Sequence, residues 1–246
     1  MLKESEAIVL RNYPLRESDL LVTFFTRAEG KVRGVAKAAL KSRRRFGGAL
    51  EPLTLVRVYW EERERQELAR IDSCDVLDSP LADAVNYSRA VALAHVAEVL
   101  DELLPDREAN DPVFRLANSV LQALKPGLAW APVTYFDLWM VRLTGLLPHL
   151  NECGVCGVSL EGEAAYFHPL MDGLMCAGDR RLASDTLAME SRRLAAEMFR
   201  RPIGSFVSSH SARQSGADLR RFLIQRMERH MEKPLVTAHM LDKLGD

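Results

Sequence analysis

The stretch L-L-V-T-F-F-T-R-A-E-G-K-V-R-G-V-A-K, Leu20 to Lys37, decides how the N-terminal part of this chain folds. Two runs rich in β-branched and aromatic residues are separated only by Ala28-Glu29-Gly30, a connection that reads as a tight hairpin with Gly30 in a left-handed conformation. Similar runs surround it: A-I-V-L-R-N-Y before, then L-T-L-V-R-V-Y-W and Q-E-L-A-R-I-D-S-C-D-V-L after. Five short strands within residues 1–79 predict a small barrel or closed sheet.

Beyond Ser79-Pro80, a capping residue followed by proline in a first turn, the period becomes helical. One helix is expected from there to Pro105, a second from Asp111-Pro112 to Lys125-Pro126-Gly127, and a third from Ala131-Pro132 to Gly145. Two more are expected over Ser184 to Arg200 and Gly216 to Glu232. The organisation read from these signals is α+β and multidomain: a β domain over 1–79, then a helical domain over 80–246 interrupted by a cysteine-bearing module at 147–182.

The 246 residues are 48% hydrophobic and 27% charged, the balance of a folded, soluble chain. No run reaches the roughly 20 apolar residues of a membrane helix, and the N-terminus lacks a signal-peptide pattern, so no membrane partner and a cytoplasmic location are expected. The net charge of -1 hides an asymmetry. Arg27 to Arg45 holds eight Lys or Arg against one Glu, whereas residues 80–150 hold five against eight Asp or Glu. Local charge governs polyanion binding, so the basic segment is a candidate nucleic-acid surface and the acidic middle is not.

In the third strand Lys31, Arg33 and Lys37 share a face with Val35, and the strand runs into A-A-L-K-S-R-R-R-F-G-G. The candidate phosphate-binding set is Arg27, Lys31, Arg33, Lys37, Lys41, Arg43, Arg44 and Arg45. An ordinary solvated charge run is the alternative. Phe46 reads as a barrel plug or loop anchor before a stacking platform. A second Arg series, including Arg192, Arg193, Arg213, Arg220, Arg221, Arg226 and Arg229, offers either an auxiliary nucleic-acid surface or ordinary helix-face ion pairs.

The remaining signal is C-x2-C-x19-C-x2-D: Cys153, Cys156, Cys176 and Asp179. Each x2 pair beside glycine can form a knuckle, and zinc accepts carboxylate oxygen, so these four residues form a candidate structural zinc site. His168 is the alternative fourth ligand, with His149 behind it. Cysteines left from a lost site, or an open catalytic metal, are the competing readings. No H-x-E triplet accompanies the C-x-x-C pair, which removes the nearest catalytic precedent. There is no phosphate loop, G-x-G-x-x-G, H-E-x-x-H or G-x-S-x-G, so a binding protein rather than an enzyme is expected.

Taken in order, these parts resemble the bacterial RecO family of recombination mediators. Ala7 to Gly30 resembles the family's opening strand, its E-x-D turn (Glu17, Asp19), its strand ending in F-T (Phe25, Thr26) and its hairpin glycine. Val35 to Lys37, Lys41 to Arg43 and Leu50 to Pro52 resemble its A-K-G, S-R and L-x-P elements. Ala38 stands where the family usually has glycine, and Asp179 where it has a fourth cysteine. The resemblance implies an N-terminal OB-fold barrel that binds single- and double-stranded DNA, joined to a helical domain with an inserted zinc module, one structural zinc per chain. It implies annealing of complementary strands, partnership with RecR in loading RecA, and docking of the C-terminal tail of the single-strand DNA-binding protein. It also implies residence in the cytoplasm, at the nucleoid. An RNA-binding OB protein and a zinc hydrolase are the alternatives from other classes.

Overall fold

A computed structural model of the chain describes residues 2–62, 66–82, 84–126, 129–206 and 216–242. It divides into two compact units, Met1–Lys125 and Pro126–Asp246.

The first unit is built on five strands: β1 (Leu2–Pro14), β2 (Leu20–Thr26), β3 (Gly30–Ala36), β4 (Leu55–Glu61) and β5 (Ala69–Asp78). They form a closed barrel in the order β1-β2-β3-β5-β4, the OB-fold arrangement. The expected hairpin is present, with Thr26 opposite Gly30 and Gly30 at φ +70°. The Thr26 hydroxyl donates to the Gly30 carbonyl at 2.9 Å and accepts the Glu29 N–H at 3.0 Å. Closure needs one long strand: β1 pairs with β4 through Leu2–Ile8 and with β2 through Ala7–Pro14, its register shifting between Val9 and Arg11. The last seam is a short parallel pairing of β3 with β5. Gly34 sits there because a Cβ would lie 2.5 Å from Ile71 Cδ1 and 2.8 Å from the Ala69 carbonyl oxygen.

Inward residues such as Val22, Phe24, Val58, Trp60 and Ile71 fill the barrel, and Phe46 from the one-turn α1 (Arg43–Phe46) joins them at 3% exposure. Phe46 is therefore the plug and not a stacking platform. Its burial anchors the basic loop that precedes it.

Two further helices belong to this unit, α2 (Tyr87–Leu103) and α3 (Asp111–Ala123). The strand-to-helix change falls near residue 79, while the compact units divide later, after Lys125. Helix α2 begins at Tyr87 and not at Pro80. Asn86 is the N-cap, accepting the Arg89 N–H at 2.8 Å. The two terminal nitrogens of the Arg89 guanidinium, 1% exposed, donate to the carbonyls of Pro80 and Ala84, which holds that segment out of the helix, while its Nε is buried without a hydrogen-bond partner. His95 is a fully buried residue of α2. Helix α3 packs on the barrel through Phe114, whose ring centroid is 5.7 Å from that of Phe25.

The second unit contains α4 (Trp130–Leu143), a two-stranded sheet of β6 (Ala165–Phe167) and β7 (Asp185–Leu187), then α5 (Met189–Arg200), α6 (Ala217–Met231) and α7 (Ala238–Asp242). The helix expected from Ser184 starts five residues later, because Asp185–Leu187 pairs with β6. Trp139 of α4 meets Phe199 of α5 edge-on at 5.2 Å, and its indole N–H donates to the Met198 carbonyl. The cysteine-bearing segment leaves the helices after α4 and docks back through Phe167, edge-on to Phe222 of α6 at 5.3 Å. No described helix is long and apolar enough to cross a membrane.

Candidate nucleic-acid interface and metal centre

The eight cations predicted to bind phosphate divide into two groups. At the hairpin end, Arg27 donates to Glu6 at 3.2 Å and to Asp111 at 2.6 Å. Those carboxylates hold the Arg27 guanidinium above its ordinary pKa, the Asp111 hydrogen bond contributing most. Lys31 was expected on an open face but is 6% exposed, and the structure corrects that expectation. Its ammonium donates to the Asp101 carbonyl at 2.5 Å and lies 3.4 Å from the Asp106 carboxylate. Arg33 is exposed, 3.6 Å from the same Asp106. The segment joining α2 to α3 thus lies along the hairpin, and the Arg107 N–H donates to the Lys31 carbonyl at 3.1 Å. Gly30 permits this approach, since a Cβ there would come within 2.0 Å of the Glu108 carbonyl oxygen.

At the loop end, Lys37, Lys41, Arg43 and Arg44 are exposed, and among the described residues none has an ion-pair partner. Arg45 serves as their anchor. It donates to the carbonyls of Lys37 (2.7 Å) and Asp72 (3.4 Å) and to the Ser42 hydroxyl (3.2 Å), and lies 4.9 Å from the Phe46 ring centroid. The turn that starts the loop depends on Asp19, whose carboxylate accepts the Ala38 N–H at 2.8 Å. Ala38 occupies a left-handed conformation, φ 54°.

Two cations outside the basic run, Arg16 and Arg70, share a cavity of about 520 Å³ with Lys37. Sequence reasoning passed over them because each is a single charge, one in the β1–β2 connection and one on β5.

In the second unit, Cys153, Cys156, Cys176 and Asp179 present ligand atoms that all lie within 4.8 Å of one another. Gly157 N–H to the Cys153 carbonyl (2.9 Å) and Asp179 N–H to the Cys176 carbonyl (3.2 Å) close the two predicted turns. The turns approach where Gly154 faces Gly173: a Cβ on either would be 3.4 Å from the other's Cα. Sγ of Cys156 and Sγ of Cys176 are 3.8 Å apart, and Asp179 Oδ2 is 3.3 Å from Cys153 Sγ and 3.2 Å from Cys176 Sγ. A tetrahedron with metal–sulfur arms of ~2.3 Å has edges of roughly 3.8 Å, slightly shorter where oxygen replaces sulfur, so the four residues fit one four-coordinate metal. The thiols, Cys156 first, hold the Asp179 carboxyl below the usual carboxylate range, while that carboxylate pushes the Cys156 thiol up to about 12. His168 is not in the cluster; its Nδ1 accepts the Leu170 N–H at 3.2 Å. His149 is not in it either.

Part of the later Arg series is structural. Arg192 of α5, 4% exposed, donates to the carbonyls of Leu150, Leu160 and Glu163 and to Asn151 Oδ1, clamping the segment that carries the first turn. Arg226 and Arg229 of α6 hold the segment before Cys176, through the carbonyls of Met171 and Pro169 and the Asp172 carboxylate. Arg220 is buried and Arg221 pairs with Asp185 at 3.3 Å, whereas Arg193 is exposed. Arg213 lies outside the described residues.

Comparison with known proteins converges with this geometry. The family model for the N-terminal part of recombination protein O matches residues 1–80, and that for its C-terminal part matches residues 85–238. A DNA repair protein RecO of Koribacter versatilis is 67% identical over 244 residues, covering 99% of this chain and 100% of the relative. RecO proteins of an Anaeromyxobacter species (strain K) and of Geobacter sulfurreducens are each 34% identical, covering 97% and 79% of this chain and 95% and 81% of those relatives. With both halves of the chain matched and full-length relatives at hand, the chain belongs to the RecO family of DNA repair and recombination proteins.

Proposed function

We propose that this chain is a non-enzymatic DNA-binding mediator of repair by homologous recombination. It anneals complementary single strands and, with RecR, helps load RecA onto DNA coated by single-strand DNA-binding protein. The observation that carries the reading is the loop end of the barrel, where Lys37, Lys41, Arg43 and Arg44 stand exposed and unpaired among the described residues on a loop anchored by Phe46 and Arg45. Cations held this way neutralise phosphates and release counterions, so two strands can approach with less mutual repulsion. Pairing then comes from the bases, and the protein supplies no covalent chemistry.

The Cys3Asp cluster is read as a structural zinc site, one ion per chain, stapling the segment between α4 and α5. The acidic tail of the single-strand DNA-binding protein has a candidate seat in the second unit. A cavity of about 400 Å³ there is lined by apolar Pro169, Ile224 and Ala238 together with Arg221, Gln225, Arg229 and His239, with Glu228 the one acid. Action on the chromosome implies residence in the cytoplasm, at the nucleoid.

The test is annealing of complementary strands coated with single-strand DNA-binding protein, with and without this chain. Faster duplex formation is expected, lost when Lys41, Arg43 and Arg44 are replaced together by Ala. An unchanged rate overturns the reading. Tighter binding of single-stranded RNA than of DNA of equal length would redirect it to RNA.

A further inference from the structure

We propose that Cys156 and Cys176 are a peroxide-responsive thiol pair: hydrogen peroxide oxidises Cys156, Cys176 closes a disulfide onto it across the two turns, and the Cys3Asp cluster thereby loses its hold on a metal. This rests on the structural-zinc reading above and assigns the cluster a modification chemistry of its own.

The three cysteines of the cluster are not equivalent. Cys153 is 1% exposed and pinned on the backbone: its N–H donates to the Val158 carbonyl at 2.9 Å, its carbonyl accepts the Gly157 N–H, and its Sγ accepts the Cys176 N–H at 3.3 Å. Cys156 is exposed and Cys176 half-buried. An oxidant arriving from solvent therefore meets the Cys156 sulfur first, since reaction follows access to the thiolate. Cys176 Sγ stands 3.8 Å from it on the other turn. A disulfide bond is about 2.05 Å long, so closure asks the two sulfurs to approach by roughly 1.8 Å, within the reach of side-chain rotation. The remaining cysteine, Cys74, sits in the barrel core at 6% exposure and is sheltered from the same oxidant.

A bound zinc would keep the cluster's thiols as thiolates, the nucleophilic form. Cys156 Sγ attacks one oxygen of hydrogen peroxide, so an S–O bond forms, the O–O bond breaks and hydroxide leaves. Cys176 Sγ then attacks the sulfenic sulfur of Cys156, so the S–S bond forms, the S–O bond breaks and a second hydroxide leaves. The two thiolates give up two electrons, the peroxide takes them, and both hydroxides become water with protons from solvent.

Asp179 makes this a single-step loss. With two of three sulfurs in a disulfide, only Cys153 Sγ and one carboxylate remain, too few donors for a four-coordinate ion. The surrounding segment does not depend on the ion alone. Arg192 clamps the carbonyls of Leu150, Leu160 and Glu163, Arg226 and Arg229 hold those of Met171 and Pro169, and Phe167 packs on Phe222. The module therefore keeps its place while the disulfide replaces the metal as the link between the turns, and reduction restores the ligand set.

The experiment treats the zinc-loaded full chain with a few equivalents of hydrogen peroxide, reads metal release with a chromogenic chelator and maps cysteine pairing in peptides kept free of reductant. About one zinc lost per disulfide is expected, with the Cys156 peptide joined to the Cys176 peptide, and dithiothreitol should restore both the thiols and zinc binding. Cys74→Ser is expected to behave as wild type. Cys156→Asp keeps a donor oxygen but removes the oxidisable sulfur, and should slow peroxide-driven release by roughly tenfold or more. Should that variant not fold, the wild-type peptide map decides alone. Zinc retained through excess peroxide, a disulfide that contains Cys153, or Cys156 taken to the sulfinic acid with no cross-link overturns the thiol pair and leaves the structural zinc standing. A wild-type chain that takes up no zinc overturns the metal reading, and the cross-link map of that same chain then upholds or overturns the pair by itself.

Discussion

The ammonium of Lys31 lies 3.4 Å from the carboxylate of Asp106, and the main chain repeats the contact, with the Lys31 carbonyl accepting the Arg107 N–H. A lysine counted as part of a phosphate-binding surface is instead a staple between the hairpin and the segment joining α2 to α3. Lys31→Ala should therefore cost about 1–3 kcal/mol of stability in urea unfolding, because the Asp101 carbonyl and Asp106 lose a charged partner. DNA affinity of the folded variant should stay near wild type.

Ala38 holds a left-handed conformation at φ 54° in the turn that begins the basic loop. Glycine relieves that strain but adds freedom to the unfolded chain, so Ala38→Gly should raise stability by a net ~0.5–1 kcal/mol. Thermal melting checks it, and a fall in melting temperature would mean the turn tolerates Ala without strain.

Elemental analysis should find about one zinc per chain. Asp179→Ala should lose the metal, whereas His168→Ala should keep it, because His168 is engaged with Leu170 outside the cluster. The Cys156 thiol, pushed up to about 12 beside the Asp179 carboxylate, must lose its proton to bind. Metal uptake should release protons, and zinc affinity should rise with pH.

Arg192 makes four hydrogen bonds into the segment that carries Cys153 and Cys156. Removing a buried guanidinium leaves three carbonyls and an amide oxygen to find other partners, so Arg192→Ala should destabilise the second unit by roughly 2–4 kcal/mol. The same variant should release zinc at lower chelator concentration than wild type. Arg192→Lys should rescue it poorly, since one ammonium cannot reproduce the planar fork.

Glu62 has its carboxyl lowered from 4.5 to about 2 by Lys3 first, then Arg107 and the Trp60 indole. A depressed carboxyl stabilises the fold above its unfolded pKa, and that contribution is lost as pH falls through the folded value. Glu62→Gln should therefore flatten the acid limb of the stability curve between about pH 4.5 and 2 and lower stability at neutral pH.

Much was legible from local pattern. Strand alternation and Ala28-Glu29-Gly30 placed the hairpin, and five such runs placed a barrel, because side-chain period and turn chemistry are properties of a few consecutive residues. The C-x2-C and C-x2-D turns placed four candidate ligand residues for the same reason: each pair converges within its own turn. Helix starts were less legible. Asn86 displaced Ser79-Pro80 as the start of α2 because Arg89 draws the Pro80 and Ala84 carbonyls out of helical bonding.

What the sequence determined by itself, then, is the barrel strands, the Cys3Asp cluster and the presence of a cationic segment. Which cations remain open was decided only by tertiary structure. Lys31 meets Asp101 from 70 positions away and Arg27 meets Asp111 from 84, so a tally of charge along the chain counts those cations and misses the acids that neutralise them. Arg16 and Arg70, isolated in sequence, come together with Lys37 for the converse reason. Electrostatic interaction follows distance in space, and the barrel's closure brings the β1–β2 connection, β3 and β5 to one groove.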